Sequence, residues 1–178
     1  LQKDVGGHLD RLENFYGVIQ KFRPIHAKPQ SRMVKYRIQD LFLKFWFRFI
    51  FPEWSAIETA NFPYVQQILN RDLRTYKGGT LEAFFRGLFQ ESKQFNEVGA
   101  YWEQDNRNKI DLVALNDLQK RIVIAEIKLN KEKISSSALK IKAESLLHHY
   151  KGYHPEYLSL SLEDAVNYLI SYPRHLHQ

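Results

Sequence analysis

The stretch that decides the fold is IDLVALNDLQKRIVIAEIK, residues 110–128. Its two apolar runs, IDLVALN and RIVIAEIK, flank the short polar segment DLQK, a pattern that predicts an antiparallel β-hairpin. With the turn centred on residues 118 and 119, Asp111 lies directly opposite Glu126. Directly opposed residues share one face of a sheet, with Cβ atoms about 4.5–5.5 Å apart. The hairpin therefore brings two carboxylates together.

Both faces of this hairpin carry apolar side chains. One face presents Asp111, Val113, Leu115, Ile122, Ile124, Glu126 and Lys128. The other presents Ile110, Leu112, Val123 and Ile127. A sheet that is buried on both faces needs helices above and below it, so we predict an α/β fold. Charged groups on such a sheet are costly unless they pair with each other or with a cation.

The opposed carboxylates suit a hard divalent cation. Mg²⁺ and Mn²⁺ prefer oxygen ligands and keep open positions for water and phosphate. Lys128 follows Glu126 by two positions and points into the same site, where it could orient or deprotonate a water or offset charge on a phosphate. The residues alone leave a second interpretation open, in which Asp111, Lys128 and Glu126 form a structural ion-pair network.

Composition limits the class of protein. The chain has 178 residues, of which 44% are hydrophobic and 14% aromatic, so a packed core is expected and global disorder is excluded. The absence of cysteine excludes a disulfide scaffold, thiolate zinc sites and cysteine catalysis. No signal-peptide pattern follows Leu1, so we expect a cytoplasmic protein whose natural chain begins further upstream.

Charge is distributed unevenly along the chain. The net charge is +6, and residues 1–50 alone carry 10 Lys and Arg against 4 Asp and Glu, whereas the remaining residues are balanced. This asymmetry favours a polyanion-binding module in the first third of the chain, with a solvated basic surface as the alternative.

The N-terminal third, residues 1–38, has the pattern of the second half of a winged helix. A helix that ends near Phe15 precedes two strand-like runs, Val18–Phe22 and Met33–Ile38, which are joined by a loop rich in proline and basic residues. We expect duplex DNA to contact the wing through Arg23, Lys28, Arg32 and Lys35.

Residues 39–77 are predicted to form a helical linker. Its aromatic stretch, Gln39–Phe51, is shorter than the roughly 20 apolar residues of a membrane span and carries charged residues, so we predict a core helix and no membrane association. Gly78-Gly79 predicts a helix stop and a domain junction. Thr80 then begins an amphipathic helix, with Glu82 at the margin of its apolar stripe.

Residues 78–178 resemble the PD-(D/E)XK nuclease superfamily. The resemblance consists of a helix bearing Glu82, Ile-Asp at Asp111 without the frequent preceding proline, and a strand that ends Glu126-Ile-Lys128. It implies a restriction-endonuclease-like core of order α-β-β-β-α-β, with a mixed central sheet flanked by helices. In such a core Asp111, Glu126 and the carbonyl of Ile127 hold the metal, Glu82 assists, and Lys128 acts on the attacking water.

A resemblance over nearly the whole chain is more specific. The run YRIQDLFLKFWFRF (36–49), Gly79-x-x-Glu82 and Ile110-Asp-Leu-Val are similar to the C-terminal region of one group of prokaryotic AAA-type ATPases. In that group the ATPase module precedes a winged helix and domain of unknown function 234. The sequence contains no Gly-x-x-x-x-Gly-Lys-Ser/Thr loop, so the resemblance assigns ATP to the upstream module only.

The remaining elements follow the same resemblance. Ser135–Ser137 offers N-caps for a helix over residues 138–150, whose Lys140 and Lys142 face the side where the superfamily gathers substrate contacts. A closing strand over residues 157–160 and a last helix after Ser161 complete the core. None of the histidines has a partner at ligand spacing, so none is expected to be catalytic or metal-binding.

Two functions remain open at this point. The first is a metal-dependent phosphodiesterase acting on DNA, which the four intact positions Glu82, Asp111, Glu126 and Lys128 favour. The second is a catalytically silent nuclease-fold module that binds DNA or protein for the ATPase, which the neutral charge of residues 51–178 favours.

We predict that the chain binds duplex DNA weakly and without sequence preference. Because lysine and arginine contacts to phosphates release counterions, the affinity should fall by about 0.9 log units per log unit of salt for each phosphate contacted. Fluorescence anisotropy across a salt series measures this slope. An affinity that is insensitive to salt, or that survives replacement of all four wing residues by alanine, would contradict the prediction.

Overall fold

The structure, a computed structural model, describes residues 5–171 and contains two compact units. The described part of the first unit comprises residues 5–23 and 30–74. The described part of the second comprises residues 24–29 and 75–171, so it includes a short segment from the N-terminal third of the chain.

The first unit begins with a helix and a hairpin, in the order that the sequence predicts. Helix α1 (Val5–Asp10) continues as a π-helical turn (Arg11–Phe15). Strands β1 (Ile19–Phe22) and β2 (Lys35–Ile38) then pair antiparallel. The helix and the hairpin are therefore confirmed, and the winged-helix assignment stays a prediction.

The aromatic segment is less buried than predicted. Its helical elements are α2 (Leu41–Phe45), a π-helical turn (Trp46–Ile50), a 3-10 turn (Phe51–Glu53) and α3 (Trp54–Glu58). Phe49 is fully buried, whereas Phe42 and Phe51 are 66% and 61% exposed. The prediction of a core helix is wrong for these side chains, because the π-helical turn and Pro52 interrupt the 3.6-residue periodicity and distribute the aromatic rings around the segment.

Helix α4 (Phe62–Glu91) is continuous through Gly78-Gly79, so the predicted helix stop is wrong. Thr80, predicted to begin a new helix, lies inside α4, where its hydroxyl donates to the carbonyl of Tyr76 in the preceding turn (3.0 Å). Glycine costs about 1 kcal/mol relative to alanine inside a helix, and burial of the apolar face of α4 on the sheet outweighs that cost. Neither α4 nor any other helix in the described range 5–171 is long and apolar enough to cross a membrane.

The second unit is built on a four-stranded mixed sheet of order β3-β4-β5-β6. The strands are β3 (Glu97–Tyr101), β4 (Ile110–Asn116), β5 (Arg121–Lys128) and β6 (His154–Ser161). The first three pair antiparallel, whereas β6 lies parallel to β5 after the connecting helix α5 (Ser136–Leu147). The pairs Leu112–Ala125 and Val113–Ile124 confirm the predicted register of the hairpin.

A β-bulge interrupts β4 where Asp111 lies. On β3, Gly99 pairs with Val113 but Tyr101 pairs with Ile110, so β4 has one residue more than β3 between these pairs. As a result, Ile110 packs on the α5 side of the sheet, although simple alternation along the strand predicted the opposite face. Asp111 lies within the bulge, and such bulges re-aim the side chains of their strand.

Helices cover both faces of the sheet. On one face, α5 packs over a mostly aliphatic cluster: Ile25, Tyr101, Ile110, Val113, Leu115, Ile122, Ile124, Leu139, Ala143 and Leu146. On the other face, α4 and α6 (Leu162–Ser171) contribute to a second cluster: Leu81, Phe85, Leu112, Ala114, Val123, Ala125, Ile127 and Ala165. The mixed sheet flanked by helices confirms the predicted α/β class.

The segment 24–29 is part of the core of the second unit. Ile25 is 2% exposed and belongs to the α5-side cluster. Its backbone N–H donates to the carbonyl of Ala100 on the edge strand β3 (2.9 Å). Ile25, which lies in the loop that the sequence predicts as a wing, therefore packs against the sheet.

We expect Ile25→Ala to lower the free energy of unfolding by about 2–5 kcal/mol, because it removes a buried side chain and leaves a cavity. Urea unfolding followed by circular dichroism measures the change. The control is Leu118→Ala at a position that is 98% exposed, which should change the stability by no more than about 0.5 kcal/mol. Equal effects of the two substitutions would show that Ile25 contributes nothing to the core.

Candidate functional site

The four residues that the sequence predicts for the site lie together at one end of the sheet. Asp111 is near the start of β4 and Glu126 near the end of β5, so the hairpin places both at the end opposite its turn. Their side chains are buried, with residue exposures of 4% and 7%. Lys128 ends β5, and Glu82 approaches from α4. Their catalytic and metal-binding roles stay predictions.

The carboxylate of Asp111 is fixed against the neighbouring strand. Its Oδ2 accepts a hydrogen bond from the backbone N–H of Ile127 (3.0 Å). Asp111 lies within the bulge of β4, where the ordinary alternation of side chains along the strand is interrupted. Asp111 is thus directed toward the end of β5, where the other site residues lie.

Lys128 lies between the two buried carboxylates. Its Nζ is 3.1 Å from Oε1 of Glu126 and 3.7 Å from Oδ2 of Asp111. The Lys128 side chain is 40% exposed, so one ammonium group contacts both acids and also reaches solvent.

Lys109 forms ion pairs with one residue of strand β4 and one residue of helix α4. Its Nζ is 2.8 Å from Oδ1 of Asp111 and 2.9 Å from Oε1 of Glu82. Arg86 supports the same corner, since its Nη1 donates to the backbone carbonyl of Asp111 (2.8 Å) and lies 3.5 Å from Oε2 of Glu82. Glu82 is therefore linked to Asp111 indirectly, because Lys109 and Arg86 each contact both residues.

Lys142 completes the site from α5. Its Nζ lies 3.4 Å and 3.5 Å from the two carboxylate oxygens of Glu126. Lys140, predicted to face the same side, instead places its ammonium over the ring of Tyr157, 5.7 Å from the ring centroid. Of the two predicted lysines of α5, Lys142 is the one that contacts a site carboxylate.

The cations keep the buried acid charged. Burial, the largest influence, would raise the pKa of Asp111, but Lys109, the N–H of Ile127 and Lys128 together hold this pKa below its usual value of 3.8. Burial would likewise lower the pKa of Lys109, but Asp111 and Glu82 together raise it above its usual value. Both groups are therefore ionised at neutral pH, in one network of carboxylates and cations.

The donor set fits a hard divalent cation by its chemistry. Asp111 and Glu126 supply carboxylate oxygens, and Ile127, whose carbonyl the resemblance implies as a ligand, lies between Glu126 and Lys128 on β5. Within residues 5–171, no group of three or more His, Cys, Asp or Glu side chains is arranged to hold a metal ion. Mg²⁺ is usually bound through one or two carboxylates with several waters, so these residues fit such an ion once the lysines release carboxylate oxygens.

Sequence reasoning missed two residues of the site, Arg86 and Lys109. Arg86 follows Glu82 by four positions on α4, and residues at that spacing share a helix face. Lys109 precedes Asp111 by two positions, and residues at that spacing share a strand face. Both spacings were visible in the sequence. Neither shows that Arg86 and Lys109 contact Glu82 and Asp111 together, because that depends on the packing of α4 against β4.

The four predicted DNA-contacting residues do not lie on a single element. Arg32 and Lys28 are exposed, whereas Arg23 and Lys35 are half-buried. Lys35 begins β2, opposite Phe22 on β1. Lys28 belongs to the segment of the second unit and the other three residues belong to the first, so contact with DNA stays a prediction.

Among residues 5–171, no histidine forms a hydrogen bond or ion pair with the network around Asp111 and Glu126, and two of them contact each other instead. The ring of His26 stacks on that of His149, with centroids 4.6 Å apart. Burial, and secondly the proximity of His149, lower the pKa of His26. His175 and His177 lie outside the described residues.

Comparisons with known proteins cover the site region. A family model described as archaeal and bacterial proteins of unknown function matches residues 46–146, a range that includes every charged residue of the site. The uncharacterized protein MJECL04 of Methanocaldococcus jannaschii is 32% identical over 117 residues, which cover 62% of this chain and 26% of the relative. The chain thus aligns with about a quarter of that relative's length. No solved structure gives a significant match.

The lowered pKa of Asp111 makes its contribution to stability depend on pH. A carboxylate whose pKa is lower in the folded state stabilises the fold above its unfolded pKa, and this stabilisation disappears as pH falls through the folded value. We therefore expect Asp111→Asn to cost about 1–3 kcal/mol at neutral pH, with a difference from wild type that shrinks below about pH 4. Urea unfolding at several pH values, with far-UV spectra to check that both proteins are folded, measures this difference. A difference that stays constant down to strongly acidic pH would refute the prediction.

Proposed function

The chain belongs to the DUF234 family of archaeal and bacterial proteins of unknown function, and on that premise we propose that its second unit is a metal-dependent phosphodiesterase that acts on DNA. The observation that carries the proposal is the position of Lys128 between two buried carboxylates, Asp111 and Glu126. Two acids and one solvent-reaching lysine at the end of a sheet form a set that suits phosphodiester hydrolysis.

The order of elements supports the same proposal. In the second unit the main elements follow the order α4-β3-β4-β5-α5-β6. This is the order α-β-β-β-α-β that the PD-(D/E)XK resemblance implies. The site residues also come from the corresponding elements, with Glu82 on the first helix and Asp111 and Glu126 on consecutive strands. We therefore include a nuclease-like fold in the proposal.

Each residue has a separate task in this proposal. A divalent ion held by Asp111, Glu126 and the carbonyl of Ile127 would supply Lewis acidity and lower the pKa of a bound water. The N–H of Ile127 keeps the Asp111 carboxylate in one orientation. The ammonium of Lys128 can orient the attacking water or offset negative charge that develops on the phosphate. Glu82 assists from α4.

The exposure of the charged groups favours an anionic substrate. The side chains of Lys109, Lys128 and Lys142 are 42%, 40% and 33% exposed, whereas those of Asp111 and Glu126 are 5% and 10% exposed. A phosphate that approaches from solvent therefore meets ammonium groups before it meets the carboxylates. The basic first third of the chain would add nonspecific attraction to DNA.

The proposal extends to the protein as a whole. The sequence resemblance to AAA-type ATPases, together with the alignment to about a quarter of a longer archaeal relative, supports an ATPase module upstream in the same polypeptide. We propose that this module, and not the present chain, binds ATP, and that the protein works in the cytoplasm.

One observation favours a second candidate function, a catalytically silent module that binds DNA or protein. Each carboxylate of the site already contacts at least one ammonium group, and four cations surround three acids. Such a network satisfies its charges without a metal. In this alternative the acids are structural, and the exposed lysines bind an anionic partner.

A thermal-shift experiment with Mn²⁺ separates the two functions. In the first, Mn²⁺ should stabilise the wild type by about 2.7 kcal/mol when it is at a hundredfold excess over its dissociation constant. Glu126→Gln should abolish that gain, because it removes a ligand charge. Lys128→Ala should keep the gain but lose cleavage of DNA, since Lys109 and Lys142 still neutralise Asp111 and Glu126.

The control is Glu163→Gln, which removes an exposed acid in the first turn of α6 and should leave the response to Mn²⁺ unchanged. If the wild type shows no shift with Mn²⁺, and Lys128→Ala destabilises the protein by leaving two acids partly unpaired, the nuclease proposal fails and the structural network is favoured.

A further inference from the structure

The Asp111 carboxylate has one oxygen that is held by a single side chain. Its Oδ2 accepts from the N–H of Ile127 and also faces Lys128. Among the described residues, Oδ1 contacts only the ammonium of Lys109, at 2.8 Å. This is the shortest contact between an ammonium and either buried acid of the site. A metal ion that takes Oδ1 as its ligand therefore competes with the Lys109 ammonium for that oxygen.

Glu82 is placed to receive the displaced lysine. Lys109 already contacts Oε1 of Glu82 at 2.9 Å, so it can leave Asp111 without losing its second carboxylate partner. Glu82 is in turn oriented by Arg86, which holds the backbone of Asp111 with the same guanidinium group. The three side chains form a connected unit beside the proposed metal site, and none of them needs to touch the metal.

We propose that Lys109 competes with the divalent cation for Asp111, and that Glu82 is a positioning residue that retains Lys109 when the cation binds. The inference rests on the proposed function, because it assumes that Asp111 is a metal ligand. It gives Glu82 a role through Lys109 and so differs from direct assistance to the metal. In this proposal Lys109 and Glu82 together determine the affinity of the site for the metal.

The physical basis is a competition between two cations for one oxygen. In some of the protein molecules Lys109 occupies Oδ1. The apparent metal affinity is then the intrinsic affinity multiplied by the fraction of molecules in which that oxygen is free. Glu82 raises this fraction, because it offers Lys109 an alternative partner. Loss of Lys109 should strengthen metal binding, whereas loss of the Glu82 charge should weaken it.

The first test is calorimetric titration of the 178-residue chain with MnCl₂. Lys109→Met should bind Mn²⁺ about fivefold more tightly than wild type, equivalent to ~1 kcal/mol, as expected for the loss of one partly exposed ion pair. Folding is expected to survive, since Asp111 keeps Ile127 N–H and Lys128, and Glu82 keeps Arg86. Lys109→Gln provides a second variant if the methionine variant is unstable.

The matched control is Lys131→Met. Lys131 forms an ion pair with Asp164 (3.1 Å), so its removal also deletes one positive charge and one carboxylate contact, but at α6 and not at Asp111. This control should leave the dissociation constant for Mn²⁺ within about twofold of wild type, because separated charges are screened at ordinary ionic strength. A gain in the control equal to that in Lys109→Met would mean that net charge alone is responsible, and would overturn the proposal.

The second test is a double-mutant cycle. Glu82→Gln should weaken Mn²⁺ binding by about threefold or more in wild type, because Lys109 then has only Asp111 as its carboxylate partner. In the Lys109→Met background the same substitution should have no effect beyond error. An equal loss in both backgrounds would show that Glu82 acts on the metal itself, and would overturn the proposal.

The outcomes for the two proposals are distinguishable. If wild type binds Mn²⁺ and Lys109→Met binds it with the same affinity, the competition is refuted while the metal site stands. If neither protein binds Mn²⁺, both the proposed function and this inference fail. If only the Lys109 variant binds Mn²⁺, the result supports the competition and shows that Lys109 prevents metal binding in wild type.

Discussion

The burial of two carboxylates at the end of a sheet covered on both faces determines the arrangement of the second unit. An unpaired carboxylate in such a place would cost several kcal/mol, and several neighbouring elements supply charged or polar groups to this end of the sheet. Helix α4 brings Arg86 to the corner, β5 brings Lys128 and a backbone N–H, and α5 brings Lys142. The packing of the helices and the charge balance of the site therefore depend on each other.

The sequence was sufficient to predict the sheet and its pair of acids, because these depend on local alternation. The polar segment between two apolar runs specifies the register, and the register brings Asp111 and Glu126 to the same end of the hairpin. Apolar residues on both faces likewise required helices on both sides. Lys128 follows from the same alternation, since a residue two positions along a strand shares its face.

Other features depend on contacts between distant parts of the chain and could not be predicted in this way. The bulge at Asp111 arises from the pairing of β3 with β4, and it reverses the face of Ile110. The Gly78-Gly79 pair lies inside a helix because packing downstream outweighs its poor helix propensity. Lys109 becomes part of the site only because α4 brings Glu82 close to β4. In each case tertiary packing prevailed over the local signal.

The segment 24–29 makes the second unit discontinuous in sequence. A protein expressed from residue 78 onward would lack Ile25, a buried member of the cluster that contains Tyr101, and would lose the N–H that donates to the carbonyl of Ala100 on the edge strand. The family match, which begins at residue 46, leaves this segment outside its range. The second unit is therefore not an independent segment that can be cut from this chain at one point or transferred alone to another protein. Any fragment intended to keep the native core of the second unit has to retain residues 24–29, although they lie between β1 and β2, which belong to the first unit.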